Sequence, residues 1–110
     1  MNKDKISISE SISRLIELTR NGTIKWLRPT SWPDDIYEIA NVFETIYNDR
    51  KLRIIEYKRP DIANRIAVLK IISKDGQLEW EFPDHFKLID LVDTIKYQKT
   101  DVEEFLKSLF

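Results

Sequence analysis

Residues 66–82, IAVLKIISKDGQLEWEF, alternate apolar and polar side chains on either side of a Lys74-Asp75-Gly76-Gln77 turn. Period-two patterning around an Asp-Gly step is the mark of an antiparallel hairpin. Phe82-Pro83-Asp84 then stops the strand, and Leu88, Leu91, Val92 and Ile95 recur at helical spacing. The period changes from two to about 3.6 within a few residues. Strands followed by helices in separate runs define an α+β protein rather than an alternating α/β one.

Working outward, the hairpin strands are expected at about 66–73 and 77–82, and two helices at about 86–98 and 101–109. Asp84 is the expected N-cap of the first of these helices. Thr100-x-x-Glu103 reads as a capping box for the second, whose apolar stripe is Val102, Phe105, Leu106 and Leu109. Towards the N-terminus, Ser7-x-x-Glu10 is another capping box. Ile8, Ile12, Leu15 and Ile16 follow at helical spacing, and Gly22 supplies a left-handed stop. A helix over about 8–21 and a short strand at Thr23–Leu27, closed by Pro29, result.

The segment 34–47 reads two ways. Ile36, Ile39, Ala40, Phe43 and Tyr47 would line one helical face, whereas Val42, Phe43, Thr45, Ile46 and Tyr47 are β-branched or aromatic. With the turn-forming pair Asn48-Asp49 behind it, the segment favours a hairpin with strands at about 42–47 and 51–58. The expected architecture is a single α+β domain over residues 1–110: an N-terminal helix, an antiparallel meander of four to five strands, and two C-terminal helices.

Several function classes are excluded by composition. The absence of cysteine removes disulfides, thiolate nucleophiles and Cys-ligated zinc. Eighteen basic against 19 acidic residues, a net charge of −1, exert no global pull towards nucleic acid or anionic lipid. No apolar run approaches the roughly 18 residues of a membrane span, and MNKDKISISES lacks a secretory core. A soluble cytoplasmic protein is expected, and the Ile- and Lys-rich usage is that of a low-GC microbial genome.

Leu18-Thr19-Arg20-x-Gly22-x-Ile24-x-Trp26, Asp75-Gly76, Phe82-Pro83, Leu88-x-Asp90-Leu91, Gln98 and Asp101-Val102-x-x-Phe105-Leu106 follow one another along nearly the whole chain. In that order they resemble a group of short uncharacterised bacterial proteins of similar length. The resemblance implies a stand-alone bacterial protein. These motifs are structural punctuation, and the group has no known activity to carry over.

Catalytic chemistry finds little support. His85 is the sole histidine, in an expected capping turn, with no HExxH or His-x-His spacing. Asp34-Asp35, Glu79 with Glu81, and Asp90 with Asp93 are carboxylate pairs that read as loop or solvated faces rather than as an acid–base pair across a cleft. With only Gly22 and Gly76, no phosphate-cradling loop can be built. No metal or cofactor is expected, and an enzyme is the third reading of the chain.

Two surfaces remain. Arg50, Lys51, Arg53, Tyr57, Lys58 and Arg59 form a basic segment with an aromatic residue, which could follow a phosphate backbone and stack a base. Cross-strand pairing with Glu44 and Asp49 is the plainer explanation for these cations. The second surface is the sheet face opposite Leu78, Trp80 and Phe82, which are taken as facing the helices. It would carry Ile55, Val68 and Ile72 among charged residues, and helix one, a homodimer mate or a protein partner would cover it. Trp32 is a candidate edge anchor, and equally a lid on the core. The expected function is a non-catalytic protein-interaction or accessory role through one face or edge of the sheet, with nucleic-acid binding along 50–59 as the alternative.

Overall fold

The computed structural model describes residues 7–30, 39–58 and 65–110. Along the chain run α1 (Ile8–Arg20), β1 (Ile39–Tyr47), β2 (Arg50–Tyr57), β3 (Ile66–Ile72), β4 (Glu79–Glu81), α2 (Lys87–Lys99) and α3 (Val102–Ser108). The strands form one antiparallel sheet in the sequential order β1-β2-β3-β4. The protein is α+β, as the change of period requires. Among the described residues no helix is long and apolar enough to cross a membrane.

Local chemistry accounts for most boundaries. Ser7 Oγ accepts the Glu10 N–H at 3.2 Å, and Gly22 leaves the helix with φ +84°. Asn48 and Asp49 both have positive φ, 50° and 62°. That is the turn whose twist matches two flanking strands joined by a two-residue loop, so 39–47 pairs as strand and not as helix. The remainder of the ambiguous segment, 34–38, lies outside the described residues. Expected strand 23–27 is reduced to one bridge, Leu27 with Glu44, along the outer edge of β1.

Register sorts the sheet into two faces. Phe43, Thr45, Tyr47, Leu52, Ile54, Leu69, Ile71, Trp80 and Phe82 share one. α1 and α2 both pack on it: Ile12 and Leu18 of α1 and Leu88, Leu91, Val92 and Ile95 of α2 join Phe43, Ile54, Leu69 and Trp26 in the core. Helix one therefore covers the first face beside α2 and not the second. The helices are tied together where Lys87 Nζ donates to Ser9 Oγ and Ser13 Oγ, both at 2.7 Å.

Two expectations at helix ends and one at the strand are corrected. Asp84 is not a cap: α2 begins after Phe86, and His85 Nδ1 accepts the Lys87 N–H at 3.1 Å. Thr100 does not cap α3; its hydroxyl donates back to the Lys96 carbonyl at 2.7 Å, closing α2. The α3 stripe is not buried, and no residue of that helix is. Finally, of the three residues taken as inward on the last strand, only Phe82 is buried. Leu78 is 71% and Trp80 50% exposed, because β4 runs out from under α1 and α2.

Candidate functional site

The second face of the sheet carries charge in cross-strand rows. Glu44, Arg53, Lys70 and Glu81 stand in register across the four strands. Arg53 Nε donates to Glu44 Oε2 at 2.6 Å, and its Nη1 lies 3.5 Å from Glu79, which Lys70 also meets at 3.4 Å. Arg53 is thus enclosed by acids, its side chain only 19% exposed. Lys51 and Tyr57 share this face, Lys51 exposed and Tyr57 half-buried. Arg50 is the first residue of β2, opposite Tyr47 and exposed, and Lys58 is exposed just beyond β2. The basic segment is therefore divided between the two faces of β2 and the residue beyond its end. Arg59 and the proposed anchor Trp32 lie outside the described residues.

Most of the apolar part of that face is already buried within the single chain. Ile55 is 3%, Val42 6% and Ile72 6% exposed, and Val68 is half-buried. Ile46, at 72%, is the exposed apolar residue of its strand. Ile55, Val68 and Ile72 thus stand together, as their alternation implied, but offer a partner little surface.

Exposed apolar surface lies instead at the β4 end. Tyr47, Leu52, Ile71 and Phe82 from the sheet and Leu15 and Leu18 from α1 line a groove of about 490 Å³. Glu10, Arg14 and Arg50 stand at its margin, Arg14 paired with Glu17 at 3.1 Å. Trp80, edge-to-face with Phe82 at 5.0 Å between ring centroids, projects from the same face. On the far side of β4 no described strand pairs. Phe82 donates to the Leu69 carbonyl and Ser73 to the Leu78 carbonyl. By the antiparallel alternation, the backbone groups of Glu79 and Glu81 then point away from β3. Glu79 and Glu81 are both on the second face, as expected, and both are exposed.

The preceding loop is held firmly. Asp75 Oδ1 accepts from Ser73 Oγ at 2.6 Å and from Gln77 N at 2.9 Å, and these bonds hold its carboxyl below the usual aspartate range. Gly76, at φ +77°, completes the turn.

Catalytic constellations are missing among the described residues. His85 stacks on Phe86 and spends Nδ1 on the helix start. No group of three metal-ligating side chains converges. The buried carboxylate is Glu56, 5% exposed, which accepts from Asn41 Nδ2 at 2.7 Å and from Arg65 Nε. Arg65 in turn forks onto Asp93 of α2 at 2.8 and 3.1 Å. Burial pushes the Glu56 carboxyl up, but the hydrogen bonds from Arg65 and Asn41 and the Arg65 charge outweigh it, leaving the group below the usual glutamate range. With each oxygen accepting a hydrogen bond and Arg65 bridging on to Asp93, this carboxylate ties sheet to helix. No protein-family model, curated protein or solved structure matches the chain.

Leu78 and Trp80 are the residues that period alone misassigns. Their exposure depends on how far α1 and α2 reach over the sheet, which local sequence does not carry; Phe82, nearest Pro83, is the one of the three that is buried.

Proposed function

We propose that this is a non-catalytic protein-interaction protein of the bacterial cytoplasm, working through the open β4 edge and the groove beside it. The observation that carries this reading is the exposure of Leu78 and Trp80 at a strand edge that no described strand pairs, while Ile55 and Ile72 on the second face are covered. An edge strand recruits an extended segment through its free backbone groups, with side-chain pockets setting selectivity. On β4 an added strand would meet Trp80 on one face and Glu79 and Glu81 on the other. The segment that fits alternates apolar with basic side chains.

Self-pairing of β4 is disfavoured by the same logic. An antiparallel β4–β4 pair centred on Trp80 sets Glu79 opposite Glu81 of the other copy, and like charges directly opposite destabilise. The nucleic-acid reading of 50–59 has less support, since Glu44 and Glu79 neutralise Arg53.

Selection of a randomised displayed-peptide library on dilute protein tests the proposal. Enriched sequences are expected to alternate apolar and Lys/Arg residues, and to lose at least tenfold in affinity on Trp80→Ala or Leu78→Asp. Enrichment of nothing, or of peptides indifferent to both substitutions, overturns it.

A further inference from the structure

Asn21-Gly22 is the one Asn-Gly step in the sequence, and it stands where α1 hands the chain over to the core. Asn21 is exposed and is the C-cap of α1. A Cβ placed on Gly22 would meet nothing within 4 Å, so no side chain crowds that side of the turn. Asn21 Oδ1 accepts the Thr23 N–H at 2.9 Å. This Asx turn closes a ring that contains both the Asn21 amide carbon and the Gly22 nitrogen, and it draws electron density away from Cγ. The Gly22 nitrogen is restrained by its donation to the Thr19 carbonyl at 3.2 Å. That bond lies at a helix end, where fraying opens the backbone at little cost.

We propose that Asn21-Gly22 is a self-modification site that deamidates to aspartate and isoaspartate, and that the isoaspartate form unlocks the 23–27 segment from α1. The Gly22 nitrogen, its proton passed to base, attacks Asn21 Cγ. The N–Cγ bond forms, the Cγ–Nδ2 bond breaks, and ammonia leaves with a proton from water. Water then opens the resulting succinimide at either carbonyl. Breaking the new bond gives aspartate, and breaking the original peptide bond gives isoaspartate, whose main chain runs through Cγ. The Asp75-Gly76 step lacks this reactivity. Its carboxyl is held ionised by Ser73 Oγ and Gln77 N, and an anion repels the nucleophile.

The two products differ in consequence. Aspartate keeps the backbone path and adds one negative charge at the negative end of α1, a mild disturbance. Isoaspartate lengthens the main chain by one atom immediately before a tightly held segment. Ile24 N donates to the Leu18 carbonyl at 3.0 Å, and Trp26 Nε1 to Thr19 Oγ1 at 3.0 Å. Ile24 and Trp26 are each 2% exposed. Gly22 and Thr23 alone separate the lengthened link from Ile24, too few residues to absorb it. In a close-packed interior the displaced side chains cannot refit, and the Trp26–Thr19 bond opens.

Peptide mapping by mass spectrometry, during incubation of the folded chain in mildly alkaline buffer, follows the reaction. Asn21 is expected to convert at least tenfold faster than Asn41, which precedes β-branched Val42 and donates Nδ2 to Glu56 at 2.7 Å. Both aspartate and isoaspartate should appear, and Asn21→Gln, which must close a larger ring, should suppress them at least tenfold. Asn21→Asp supplies the charge on an unaltered backbone. The isoaspartate form, separated by chromatography, should unfold at lower denaturant than Asn21→Asp. Its Trp26 indole proton should exchange with deuterium at least tenfold faster by NMR. Conversion at Asn21 no faster than at Asn41 overturns the site. An isoaspartate form as stable as Asn21→Asp, with the Trp26 indole equally protected, overturns the unlocking.

Discussion

Thr19 is a β-branched residue near a helix end, and its hydroxyl serves two ends of the structure. It donates to the Leu15 carbonyl at 2.8 Å and accepts the Trp26 indole N–H at 3.0 Å. The Thr19 carbonyl accepts from Gln98 Nε2, and Lys99 Nζ donates to the Trp26 carbonyl. Both Thr19 and Trp26 are buried, so Thr19→Val strands an indole donor away from water. Chemical denaturation should register a loss of about 1–3 kcal/mol. Trp26→Phe in the Thr19→Val background should cost less than in wild type, since the stranded donor is removed with the indole. Thr19, Trp26 and Gln98 stood in the sequence as landmarks without a stated reason. Their bond partners are set by how α1, α2 and the 23–27 segment meet, and spacing carries no such information.

At the level of elements, α2 and α3 follow each other with similar patterns and opposite fates. Leu91 is fully buried against the sheet, whereas Phe105 stands out in solvent. Leu91→Ala should destabilise by about 2–5 kcal/mol through lost transfer energy and the cavity left behind. Phe105→Ala should shift the stability of dilute, monomeric protein by no more than about 0.5 kcal/mol. Equal effects in parallel denaturation curves would contradict the packing described here. Both helices were legible as helices, because i, i+3, i+4 spacing and the charges between depend only on local geometry. Which stripe is covered was not. Val102, Phe105, Leu106 and Leu109 make as regular a stripe as Leu88, Leu91, Val92 and Ile95. The difference is the Thr100-Asp101 break, where Asp101 takes φ +51° and redirects the chain off the sheet.

For the molecule as a whole, the contact that binds sheet, connection and helix into one unit is the Glu56–Arg65–Asp93 chain. The Glu56 carboxyl lies below its ordinary range in the folded protein. The unfolded state therefore binds the proton first as pH falls, and Glu56 contributes stability above its unfolded value that is lost through the folded one. Stability should decline in acid across and below the usual glutamate range, and Glu56→Gln should flatten that decline as well as lower stability near neutrality. Denaturation midpoints collected from neutral pH downwards provide the check. A wild-type curve no steeper than that of Glu56→Gln would remove Glu56 as the cause.

The sequence alone determined the α+β class, the strand register around Asn48-Asp49 and Asp75-Gly76, and the existence of three helices. Periodicity and turn chemistry act over a few residues and leave their mark in the chain itself, whereas of the three caps read from it only Ser7 holds. It also placed Leu78, Trp80 and Phe82 on one face, which the register of β4 preserves. Only the tertiary structure decided that α1 lies beside α2 on that face, that Ile55 and Ile72 are buried, and that Trp80 emerges at the edge. Exposure depends on how far one packed layer extends over another, a distance fixed by the helices' docking. Alternation names the face a residue belongs to, and the reach of the covering helices decides whether that face meets core or water.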